Sequence, residues 1–165
     1  MELALANKQR CHRIDRARLK RVAELVMAAE GCEPDTELSA AIGDDAWIGD
    51  LNRQYRNTDA PTDVLAFPQD ISPAGAGRLL GDVAISAETA ERQAQEAGHG
   101  VAEELDLLLT HGILHLTGWN DETPTQRRRM MRRAETLLGW SRTGPGSPGV
   151  TAEALPRVPG RRRAR

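Results

Sequence analysis

The sequence predicts an α+β fold, a mixed sheet of about four strands with about five helices and one helix at the centre. Two observations predict it. Four short runs near 1–6, 36–42, 63–67 and 79–85 read as strands, and between them lie segments whose apolar residues recur at spacings of three and four. One of those segments, 101–117, is apolar on most sides, which marks a helix buried in the middle of a domain. At 165 residues the chain is one domain's worth. We expect a compact unit over 1–140 and a disordered Arg-, Pro- and Gly-rich tail over 141–165.

The elements follow in order. Met1–Ala6 alternates loosely as a first strand. Ala17, Val22, Leu25, Val26 and Ala29 then make a helical stripe over 16–30, with Asp15 as N-cap and Gly31 as stop. Thr36–Ile42 reads as a strand. Asp44 and Asp45 open a helix over about 45–56, whose inner side is Ala46, Ile48 or Trp47, Leu51 and Tyr55. A turn rich in Asn, Asp, Pro and Thr leads to a short strand ending at Pro68. Residues 69–78 are a loop, and Leu79–Ser86 alternates as a strand. Ser86 caps a polar helix over 87–98, and His99 is expected to be exposed and idle in the break between Gly98 and Gly100. In the helix over 101–117, Leu105, Leu108, Leu109, Ile113 and Leu116 line one side, and Leu107 and Leu114 another. Thr123 and Pro124 open a last helix, about 124–139, with Met130, Met131, Ala134, Leu137 and Leu138 as its core stripe.

Composition narrows the function classes. The formal charge is −2, but an acidic body wears a basic tail: residues 1–140 hold 16 Lys+Arg against 23 Asp+Glu, and 141–165 hold six Arg against one Glu. One Phe, one Tyr and three Trp give no broad stacking platform. Cys11 and Cys32 form no C-x-x-C and no disulfide framework, which fits a reducing compartment. No apolar run approaches the roughly 20 residues of a membrane span, and the N-terminus lacks a signal peptide's apolar core. These features predict a cytoplasmic protein without a membrane partner.

The most informative stretch runs from His111 to Asp121, in the pattern H-x-x-x-H-x-x-G-x-x-D. Histidines four apart on a helix share one face, so both imidazoles can reach one ion. Gly118 takes the left-handed conformation that ends a helix, and the turn returns Asp121 as a third ligand. Three protein ligands leave a fourth position, the arrangement of a catalytic zinc site. Two histidines and a carboxylate also suit iron, manganese or nickel. Asn120 and Glu122 are alternative third ligands, and Glu104, on the same side two turns earlier, is a candidate to orient a histidine. Metalloproteases of the H-E-x-x-H kind carry a general base after the first histidine, whereas this chain has Gly112.

These eleven residues resemble the signature of the YbeY family, H-G-x-L-H-L-x-G-Y-D-H, the metal-dependent endoribonucleases of ribosomal RNA maturation and ribosome quality control. His111, Gly112, Leu114, His115, Leu116 and Gly118 match; Trp119, Asn120 and Asp121 stand where the signature has Tyr, Asp and a third His. Leu51-Asn52-Arg53-Gln54-Tyr55-Arg56, with Pro61-Thr62-Asp63-Val64-Leu65-Ala66-Phe67-Pro68 after it, resembles a second family block. Gly81-Asp82-Val83-Ala84-Ile85 resembles a third.

The resemblance implies the same α+β architecture, a metal on His111, His115 and Asp121, and an activity that cuts single-stranded RNA. It also implies a role for Arg56, and a guanidinium suits that role because it holds a phosphate through two parallel hydrogen bonds and opposes charge that grows during attack. His115 and Arg56 are then the expected catalytic residues, zinc the expected ion, and ribosomal RNA of the small subunit the expected partner, with no DNA. An anionic third ligand predicts a rate optimum at higher pH than in a three-histidine relative. Arg127, Arg128, Arg129, Arg132 and Arg133 form either a solvated cationic face or an RNA-facing patch. Three other readings compete: a non-catalytic RNA-binding factor of ribosome assembly, a metal-dependent peptidase, which Gly112 disfavours, and a weakened relative left metal-free by Asp121. The sequence carries no signal for oligomeric state.

Overall fold

The structure is a computed structural model and describes residues 1–69 and 78–140. Most of the predicted 69–78 loop and all of the predicted tail lie outside the described residues.

β1 (Glu2–Asn7) and β2 (Thr36–Gly43) pair in parallel, β2 pairs in parallel with β4 (Arg78–Ser86), and β3 (Val64–Pro68) lies antiparallel at the β4 edge. The order is β1-β2-β4-β3, a mixed sheet of four strands. With α1 (Arg16–Ala29), α2 (Asp45–Arg56), α3 (Ala87–Ala97), α4 (Val101–Leu116) and α5 (Pro124–Leu137), the fold is the α+β arrangement that the sequence predicts.

The strand alternation decides which helix covers which face. Leu38, Ala40, Ile42, Val64, Val83 and Ile85 point one way, into a core completed by Leu19, Ala23, Val26 and Met27 of α1 and by Leu105, Leu108, Leu109 and Ile113 of α4. The alternate positions Leu65 and Ala84 point the other way, onto Ile48 of α2. Side chains along a strand take opposite faces in turn, so α2 lies on the far side of the sheet. On α2, Ile48 and Asn52 are buried, whereas Tyr55 is 61% exposed and Ala46 is exposed, so neither belongs to its inner side. Asn52 replaces them because its side-chain amide donates to the Ala60 carbonyl at 2.9 Å.

α4 is the centre. It buries eleven residues from Glu104 to Leu114; one side joins the sheet core, and Leu107 and Leu114 pack on Met130 and Ala134 of α5. A Cβ on Gly112 would come 2.7 Å from Val83 Cγ1, so the absent side chain is what allows the helix to lie this close to β4.

Candidate metal centre

His111 and His115 project from α4 with ring centroids 5.2 Å apart. The helix then ends in a Schellman turn: Gly118 N–H donates to His115 O at 3.1 Å and Trp119 N–H to Leu114 O at 3.0 Å. Gly118 has φ +104°, which L side chains rarely adopt. The turn reverses the chain and brings Asp121 back, with Oδ2 3.5 Å from His115 Nε2. His111, His115 and Asp121 each offer one ligand atom, and these atoms lie within 4.8 Å of one another, a group that could hold a metal ion.

Burial adds an independent test of fit. His111 is 3% exposed and Asp121 2%. Neither ring nitrogen of His111 has a hydrogen-bond partner, nor does Asp121 Oδ2. Buried polar atoms in folded proteins are nearly always satisfied, so an orphaned His111 nitrogen grouped with the orphaned Asp121 Oδ2 fits an ion. Burial, with the His115 charge adding, lowers the His111 pKa to about 4 against a raising effect of Asp121. At Asp121, burial pushes the carboxyl up, but the two imidazoles outweigh it and hold it below the ordinary value. At neutral pH, His111 is a neutral imidazole and Asp121 a carboxylate, the forms that bind metals.

The loop is fixed from outside. Arg127 Nη1 donates to the Asp121 carbonyl at 3.0 Å. Trp119 Nε1 donates to Glu30 Oε2 at 2.8 Å, and Arg133 Nε to Glu30 Oε1 at 2.8 Å. Neither link is visible in local sequence, since Glu30 is 89 residues from Trp119.

A family model described as "Endoribonuclease YbeY" matches residues 4–140. A protein of that name from Pelotomaculum thermopropionicum is 46% identical over 125 residues, 73% of this chain and 82% of its own. One from Geobacter metallireducens is 45% identical over 142 residues, 84% of this chain and 94% of its own. The chain belongs to the YbeY family. A solution structure of TM1509 from Thermotoga maritima covers 83% of this chain and 89% of that one with a TM-score of 0.53; at 22% identity it bears on the fold alone.

Within the YbeY signature, the chain's three departures fall in the loop from Trp119 to Asp121, and Asp121, in place of the third histidine, is the acid among the three grouped residues. Arg56 is less directly placed. It ends α2, half-buried, with its carbonyl accepting the Thr58 hydroxyl at 3.3 Å. Its neighbour Tyr55 meets Phe67 of β3 edge-on at 5.3 Å. From the other face, Leu116 closes on Gly81 of β4, beside the Phe67 carbonyl. The end of α2 and the end of α4 therefore reach the same corner of the sheet from opposite faces.

Two expectations are corrected. Glu104 does not orient a histidine, since both His111 nitrogens lack hydrogen bonds. Glu104 is instead fully buried, with burial and then the Asp63 carboxylate raising its pKa to about 7. His99 is not idle: Nε2 lies 3.0 Å from Glu104 Oε2, out of hydrogen-bond alignment, and the ring meets Trp140 edge-on at 5.5 Å. The arginines of α5 also divide, with Arg127 and Arg133 committed to the contacts above and Arg128 to Thr125 Oγ1 at 3.3 Å.

Proposed function

We propose that this chain is a metal-dependent endoribonuclease that cuts single-stranded RNA in ribosomal RNA maturation and ribosome quality control in the cytoplasm, with one divalent ion, zinc, on His111, His115 and Asp121. Family membership supports the endoribonuclease activity. The observation that carries the metal reading is the grouping of one ligand atom each from His111, His115 and Asp121 within 4.8 Å, those of buried His111 and Asp121 having no other partner. A bound divalent ion would supply a Lewis acid and an acidified water there.

The chain's own residues prepare that position. Burial keeps His111 unprotonated, His115 beside Asp121 helps hold that carboxyl ionised, and the Gly118 turn with the Arg127 bond sets the Asp121 backbone. Arg56 is assigned to an RNA phosphate and to the negative charge that grows there during cleavage, and His115 to the reacting centre as a ligand. Gly112 offers no base for peptide hydrolysis, and a side chain there meets Val83.

The test pairs elemental analysis with cleavage assays on single-stranded RNA, duplex RNA and casein, using the full chain and His115→Ala. We expect about one ion per chain, cleavage of single-stranded RNA alone, and loss of both metal and cleavage in the variant. RNA left intact by the metal-loaded chain would overturn the reading in favour of a non-catalytic assembly factor.

A further inference from the structure

The turn that carries Asp121 back to His115 also walls a cavity of about 330 Å³, lined by Thr117, Gly118, Trp119, Asn120, Gln126 and Arg129. Its chemistry is one-sided. The lining holds no carboxylate. Neither the Asn120 nor the Arg129 side chain has a hydrogen bond or ion pair among the described residues. Gln126 spends its carbonyl on the helix cap, where Oε1 accepts from Thr123 N–H at 2.9 Å, and keeps its amide N–H groups to donate. Trp119 is held by its bond to Glu30, which Arg133 holds in turn. The cavity thus offers a guanidinium and side-chain amides, donors that match a phosphodiester. It adjoins the metal group along the chain: Thr117 is two residues past His115, and Asn120 immediately precedes Asp121.

Resting on the single-strand nuclease reading above, we infer that this cavity is a substrate subsite: Arg129 holds a phosphodiester neighbouring the one that is cut, with Asn120 and Gln126 donating beside it. Asn120 is the permissive feature. The Asp of the resembled signature at this position would set a carboxylate against the phosphate. The subsite binds the strand and leaves the reacting atoms alone, so its loss acts on KM more than on kcat.

The test uses the full chain and a fluorescein-labelled single-stranded RNA of 12 nucleotides. Affinity is measured by anisotropy across a salt series, cleavage is measured separately, and metal content and melting temperature are recorded for every variant. Arg129→Ala is expected to raise Kd and KM roughly five- to tenfold, to leave kcat within about twofold, and to flatten the slope of log Kd against log salt by about 0.7, one phosphate contact on a single strand. Asn120→Asp raises Kd in the same direction. Arg128→Ala, one residue along and outside the cavity, serves as the control for general charge and changes the slope less. Equal slopes and affinities for wild type, Arg129→Ala and Asn120→Asp overturn the subsite, as does an equal effect of Arg128→Ala. Failure of the metal-loaded wild type to cleave, with binding intact, overturns the nuclease reading instead.

Discussion

Burial gives His111 two properties that a metal ligand needs: it holds the imidazole neutral and leaves neither ring nitrogen another partner. His111→Ala is expected to strip the ion and lower the cleavage rate more than about 100-fold, read by elemental analysis and initial rates. Asp121 brings a negative charge where the family signature has an imidazole. Asp121→His leaves more residual charge on the ion and should move the rate optimum to lower pH; a pH–rate profile with the same or a higher optimum contradicts that. Arg56→Lys keeps the charge and loses the two-pronged geometry. Both Arg56→Lys and Arg56→Ala should therefore lower kcat while metal content stays at the wild-type value; a slowing that tracks lost metal would place the effect at the ligands instead.

At the scale of elements, the packing of α4 on β4 hangs on Gly112. Gly112→Ala forces its Cβ against Val83 and should cost about 1–3 kcal/mol by overpacking, with Val83→Ala restoring part of the loss in denaturant titrations of the double variant. Element boundaries were legible because their signals are local. Asp15, Asp44, Ser86 and Thr123 each accept from the backbone N–H three residues on, and the His-His-Gly-Asp spacing needs only helix geometry and one turn. Faces and partners were not legible. α2 crosses to the far face because Leu65 and Ala84 need cover there. Asp106 is a charged residue in a largely apolar helix yet is buried, with Arg18 Nε donating to Oδ2 at 2.7 Å from 88 residues away. Glu104 has the spacing of a partner for His111, but what decides its role is the fold around it, which brings His99 and Asp63 to it. The arginines of α5 look alike in sequence, and only tertiary contacts separate Arg127 and Arg133 from Arg129.

At the scale of the whole molecule, Glu104 makes stability depend on pH. Burial, together with the Asp63 carboxylate, raises its pKa to about 7, above the ordinary value that it regains on unfolding. Between those values the folded chain holds a proton that the unfolded chain releases. The resulting stability is present at pH 5 and is lost as pH rises through 7, on the order of 2 kcal/mol. Denaturant titrations at pH 5 and pH 8 should show the decline in wild type and a flatter response in Glu104→Gln; equal slopes would remove Glu104 as its source.

The Arg127 bond to the Asp121 carbonyl carries a further consequence. An ion gripped by α4 and by the loop after it becomes a brace between two consecutive helices, because the same short loop is already tied to the first turns of α5. Amide hydrogen exchange should register the ion's arrival as slowing over residues 117–127 that exceeds the general slowing in the sheet. A general rise in stability alone would slow both regions equally, so the excess in the loop separates a local brace from a global one.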